Sequence, residues 1–156
     1  MRTALEALHK VLSDIGWEPR RDENITGFHV DFGPPYLPIS SAFAAVAVDT
    51  QQFVCYLNLG IRPALQYRDE VARFITRANW GLMIGNFEMD FEDGHVRFKS
   101  SLDYGGGELT ENLIRHAILP AMNAIDIYAP ALVDVVSGTA DALTAIARVE
   151  GERGHD

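Results

Sequence analysis

Cysteine is almost missing from this chain of 156 residues: Cys55 is the only one, so no intramolecular disulfide can form and no cysteine cage for a metal exists. It lies in the apolar run Phe53-Val54-Cys55-Tyr56-Leu57, where a free thiol is expected to pack as a small hydrophobe rather than react. Lysine is nearly as scarce, with only Lys10 and Lys99, and the arginines are scattered rather than clustered. Together with a net charge of −9, that distribution disfavours nucleic acid and anionic membranes as partners. Solubility is the plain reading of the acidity, and a cationic segment of another protein is the alternative. The N-terminus lacks an apolar signal core, and no apolar stretch approaches the ~20 residues of a membrane span, so a cytoplasmic location is expected. Metal-site spacings are missing as well. His9, His29, His95, His116 and His155 stand apart from one another and from any HExxH-like arrangement, so no metal or cofactor is expected.

What is present reads as an ordinary globular chain. Apolar residues make up 47% and charged residues 22%, a balance that excludes extensive disorder. One domain over residues 1–150 is expected, with a frayed tail at 151–156. Leu5, Leu8, Val11, Leu12 and Ile15 form one stripe of a helix over 3–16, with Thr3 as N-cap. The polar stretch 20–26 reads as a loop. Strands follow over 25–32, ended by Gly33-Pro34-Pro35, then over 42–49 and 53–59. A helix from about Tyr67 to Asn79 turns Val71, Phe74, Ile75 and Ala78 inward. Thr110 to Tyr128 is a long helix expected to kink or break at Leu119, before Pro120. Pro130 opens a further segment, Ala131 to Val136, and Thr139 to Val149 is helical again. The order α-β-β-β-α-β-β-α(-α) predicts an α+β fold with an antiparallel five-stranded sheet and helices packed on it.

The most structured stretch is the hairpin. Phe87, Met89 and Phe91 alternate with Glu88, Asp90 and Glu92, while Val96 and Phe98 alternate with Arg97 and Lys99. Asp93-Gly94 suggests a two-residue turn. That turn would set Glu92 opposite His95, Phe91 opposite Val96, Asp90 opposite Arg97, Met89 opposite Phe98 and Glu88 opposite Lys99, matching acid to base along one face.

No catalytic constellation emerges. The acids of the hairpin strand read as a charge ladder, His95 as a cross-strand partner, and Gly105-Gly106-Gly107 as a flexible connection that lacks the Gly-Lys-Ser/Thr ending of a phosphate loop. No nucleophile elbow surrounds Ser40-Ser41 or Ser100-Ser101. The candidate interaction residues are Asn79, Trp80, Leu132 and Val136. For Asn79 the plainer role is a helix-end cap or a bond to nearby backbone, and for Trp80 it is core packing, weighed against an aromatic surface for a partner.

The run Arg73-Phe74-Ile75-Thr76-Arg77-Ala78-Asn79, with Gly81-Leu82, Gly85, Phe87-Glu88-Met89-Asp90, Asp93-Gly94 and Val96-Arg97-Phe98-Lys99, resembles the YbjN-like family. The resemblance implies a bacterial sensory transduction regulator with a type III secretion chaperone-like fold, and a protein-binding module that is often dimeric. It supplies no catalytic residues. The leading expectation is therefore a non-enzymatic module that binds a protein or peptide, by strand addition at an open sheet edge or in an apolar groove. The other is a small-ligand sensor or an enzyme with a pocket between the sheet and the C-terminal helices. A homodimer is expected because Leu132, Val133, Val135 and Val136 leave little polar face before Gly138, and because an open sheet has two edges to cover.

Overall fold

The computed structural model describes residues 2–33 and 38–151. In chain order the elements are α1 (Ala4–Asp14), β1 (Arg20–Arg21), β2 (Gly27–Asp31), β3 (Ile39–Ala47), β4 (Gln52–Leu59), a 3-10 turn (Leu65–Tyr67), α2 (Arg68–Trp80), β5 (Asn86–Met89), β6 (Val96–Asp103), α3 (Glu111–Val136) and α4 (Ala142–Gly151). The strands form one antiparallel sheet in the order β1-β2-β3-β4-β6-β5. The fold class is α+β, with six strands where five were expected. The addition is β1, in the stretch read as a loop: Arg20 pairs with His29 and Arg21 with Phe28. Two arginines carry no alternation for a sequence reading to find. The Pro34-Pro35 stop, the tail beyond Gly151 and His155 lie outside the described residues.

Alternation along the strands sends one set of side chains inward. Phe53, Cys55, Leu57 and Phe98 are buried on that face, and the helices cover it. α1 begins with a capping box between Thr3 and Glu6 and buries Leu8, Val11 and Leu12. The His9 ring packs 5.3 Å from that of Phe28. Phe87 of β5 meets Phe98 edge-on at 4.9 Å and Tyr128 of α3 at 6.1 Å, which ties the sheet to the long helix. Ser100, the one buried polar residue among those described, donates from Oγ to the Ala117 carbonyl at 2.7 Å. Core side chains thus pack between the sheet and α3, on the side where a ligand pocket was one expectation.

α3 corrects a second expectation. It runs unbroken through both Pro120 and Pro130, with no separate segment starting at Ala131. Its inward side chains Ile114, Ile118, Ile125 and Leu132 are fully buried, and tertiary packing of that face holds together a helix that local propensity would divide. By length and composition alone α3 could cross a membrane, at a mean hydropathy of 1.3. Here it is the core helix of the fold. The apolar residues that suggested a dimer through the tail turn inward too: Leu132 and Val135 are buried and Val136 is half-buried, although Val133 stays exposed.

α4 closes on α2 at both ends. Glu70 Oε2 accepts from the Ala142 N–H at 2.8 Å, capping the start of α4, and Arg77 bonds Glu150 at 2.8 Å near its end. The turn before α4 has Gly138 at φ 76°, where a Cβ would stand 2.5 Å from the Tyr67 ring. Only glycine fits there.

Candidate protein-interaction surfaces

The hairpin register differs from the expected one by two residues. Met89 lies opposite Val96, Glu88 opposite Arg97 and Phe87 opposite Phe98. Four residues, Phe91 to Gly94, form the turn instead of two, closed by bonds from Asp90 N–H to the His95 carbonyl and from Gly94 N–H to the Asp90 carbonyl. Side chains explain the wider turn. Asp90 accepts from the Glu92 N–H and Asp93 from the His95 N–H, each at 2.8 Å. Arg68 Nη1 donates to the carbonyls of Phe91 and Glu92, and Arg62 pairs with Asp93. Because the shift is an even number of residues, side chains keep their faces and change only their partners. Glu88 now takes both bases, Arg97 and Lys99, each at 2.8 Å. Partial burial opposes its charge, yet the hydrogen bonds from Lys99 and Arg97 prevail and hold the carboxyl below its usual range. His95 faces Asp90 rather than Glu92, and Phe91 is exposed instead of pairing with Val96.

Asn79 is a clamp. Its carboxamide donates to the Phe87 carbonyl at 3.0 Å and accepts from the Phe87 N–H at 2.8 Å. Phe87 sits opposite Phe98 while Asp90 bonds His95, just before β6, so by the alternation of an antiparallel pair the Phe87 backbone groups point away from β6, toward the open edge of β5. One side chain therefore occupies the edge as a neighbouring strand would. At the opposite edge β1 is only two residues long and carries Arg20 and Arg21. Both edges are blunted against strand addition.

Two surfaces remain. The first is the outer face of the sheet, which no helix covers. Across it run His29, Phe43, Tyr56 and Lys99 in register. His29 stacks on Phe43 at 4.7 Å and is held by Asp22, whose Oδ2 lies 2.6 Å from Nε2. That contact, with backbone N–H bonds from Asn24 and Ile25, keeps the Asp22 carboxyl below its usual range. The Arg97 guanidinium lies 4.1 Å over the Tyr56 ring. At one end Ala45, Ala47, Val54, Tyr56 and Ile25 border a shallow concavity of about 550 Å³.

The second surface is the outer side of α2 with the segments that touch it. Trp80, expected in the core, is 85% exposed, and Met83 is 96% exposed. Ile84 is exposed shortly after them in sequence, and Leu65 and Phe91 are exposed near the start of α2. The sequence could not place Trp80, because the inward stripe of α2 is already complete with Val71, Phe74, Ile75 and Ala78. Of the four candidate interaction residues only Trp80 offers an open surface. Asn79 is engaged with backbone, Leu132 is in the core and Val136 is half-buried.

Among the described residues no group of three His, Cys, Asp or Glu side chains is placed to hold a metal ion. Burial pushes the Cys55 thiol up to about 12, which leaves it inert.

No curated protein matches the chain in sequence. Among solved structures it is similar to YbjN from E. coli, described as "a putative transcription regulator", at 15% identity and a TM-score of 0.52, covering 78% of this chain and 87% of that one. A chain of the ExsC–ExsE complex aligns at 10% identity and a TM-score of 0.54, covering 82% and 92%. A chain from the Yersinia pestis type III secretion chaperone SycH in complex with a stable fragment of YscM2 aligns at 17% identity and a TM-score of 0.47, covering 80% and 98%. At these identities the first two likenesses speak to fold alone. The family's sequence profile matches residues 4–133, most of the chain, and on that match the protein belongs to the YbjN family, described as "Putative bacterial sensory transduction regulator".

Proposed function

We propose that the protein is a non-enzymatic regulatory module, a single soluble cytoplasmic domain that binds a polypeptide partner in the manner of a secretion chaperone and works as a homodimer. The observation that carries the reading is the uncovered outer face of the sheet, where Phe43, Val54 and Tyr56 stay half-exposed beside the concavity at Ala45 and Ala47. With both edges blunted, a partner segment would lie across this face instead of extending the sheet. The ExsC–ExsE complex, a protein–protein assembly on the same fold, supports the choice of a polypeptide. A family described as regulators supports a role in signalling.

The test is affinity capture from native bacterial lysate with the wild-type chain and with Ala47→Arg and Val54→Lys, which crowd the outer face and leave the buried one intact. A protein held by the wild type and lost from both variants is the expected result. Equal capture by all three would move the binding site elsewhere, and a catalysed reaction that survives in the wild type alone would replace the non-enzymatic reading.

A further inference from the structure

The outer face of the sheet carries a trough that runs across the strands. Gly27, Ala45, Val54 and Ser101 stand in one register row over β2, β3, β4 and β6, and none of them is larger than valine. The next row, His29, Phe43, Tyr56 and Lys99, rises beside them as a wall. On the other side stand Ala47, Gln52 and Asp103, with Ile25 at the β2 end. Four strands at a spacing of ~4.8 Å make the trough about 14 Å long. Lys99, the one base that lines it among the described residues, is bound to Glu88 at 2.8 Å. The acids at this end of the sheet are not matched in that way. Asp103 on the rim, Asp49 in the turn after β3 and Glu23 in the loop before β2 form no ion pair among the described residues.

We propose that this trough takes a proline-rich segment of the partner polypeptide in the polyproline II conformation, with an arginine or lysine beside it. The inference rests on the polypeptide-binding reading given above and names the chemistry of the partner at that site. A segment that crosses the face of a sheet finds no ladder to join, because the strands bond one another with their own N–H and carbonyl groups. Its backbone groups must then stay hydrated or be absent. Polyproline II meets that condition, since it has no internal hydrogen bonds and each proline lacks an N–H. At ~3.1 Å per residue, about five residues fill the trough. Phe43 and Tyr56 supply the aromatic wall against which proline rings pack in grooves of this kind. Arg97 lies over the Tyr56 ring at 4.1 Å and steadies that wall. A preformed segment also loses little conformational freedom on docking, which suits a shallow site. Charge decides the flank. Asp103, Asp49 and Glu23 attract a cation and repel an anion, while Glu88 already neutralises Lys99.

Amide NMR shifts of the isotope-labelled full chain, titrated with the capped peptides RPLPPLP, EPLPPLP and RALAALA, test this. RPLPPLP is expected to move the amides of Ala45, Ala47, Val54, Tyr56 and Ser101 saturably. EPLPPLP and RALAALA are each expected to bind at least about fivefold more weakly. Asp103→Asn keeps the acceptor for the Gly105 N–H and removes the charge. It is expected to weaken RPLPPLP by about two- to fivefold and to strengthen EPLPPLP. Equal binding of RALAALA overturns the polyproline II segment, and equal binding of EPLPPLP overturns the cationic flank. Shifts that saturate elsewhere on the surface overturn the trough. If none of the peptides moves an amide, the proposal falls, and the lysate capture described above then judges the broader reading separately. A protein held by the wild type and lost from Ala47→Arg would keep a polypeptide on this face with another chemistry.

Discussion

At the scale of single residues, Gly94 and Asn79 hold the hairpin in place. Gly94 sits at φ 77°, and a Cβ there would stand 2.8 Å from the Pro63 carbonyl. Gly94→Val is expected to cost roughly 1–3 kcal/mol, read as a lower denaturation midpoint, because backbone strain and that contact add together. An unchanged midpoint would mean that the turn is not built this way. The sequence pointed to Gly94 for the right reason, since a turn glycine is visible without knowing the length of the turn. What it could not show was Arg68, over 20 residues away in sequence, whose guanidinium holds two carbonyls and widens the turn. Asn79→Asp keeps the acceptor for the Phe87 N–H and loses the donor to its carbonyl. A cost of about 1–3 kcal/mol is expected, together with faster amide exchange along β5. Were Asn79 a contact for a partner and not a clamp, the variant would keep its stability and lose binding.

At the scale of elements, the strongly patterned ones were legible and the weakly patterned ones were not. α1, β4 and α2 each show one clean period, and they lie where that period puts them. β1 has no period, and α3 contains two prolines whose local cost is outweighed by the burial of Ile118, Ile125 and Leu132. Such an override depends on neighbours distant in sequence. The docking of α4 is partly of the same kind: Asp141, next to it in sequence, accepts from the Thr144 N–H, but the carboxylate that takes the Ala142 N–H is Glu70 of α2. Glu70→Ala removes that one bond, leaves the Asp141 cap in place and should lower stability by about 0.5–1.5 kcal/mol. Hydrogen exchange should localise the change, with amides near Ala142 exchanging faster while those of β4 do not. Uniform acceleration throughout the chain would show that α4 and the sheet unfold as one unit.

At the scale of the whole molecule, the acidic composition acts through specific carboxylates. Hydrogen bonding holds Asp22 at His29 and Asp93 at the His95 N–H below the usual range, and Glu88 is held there by Lys99 and Arg97 against partial burial. A folded-state value below the unfolded one stabilises the fold above the unfolded value, and the contribution is lost as pH falls. Stability should thus be level above about pH 5 and decline below about pH 4, where ordinary carboxylates take up protons. Glu88→Gln should flatten part of that decline, as followed by thermal melts between pH 3 and 6. The packing of α4 on α2 also has a consequence for the chain as it is made. Glu70 meets its partner Ala142 across 72 residues, so α2 emerges from the ribosome long before the helix that closes over it. Until α4 follows, the sides of α2 and α3 that it packs against have no lid. Misassembly is therefore most exposed in the interval between the synthesis of α3 and that of α4, when the surface that α4 will seal is still open.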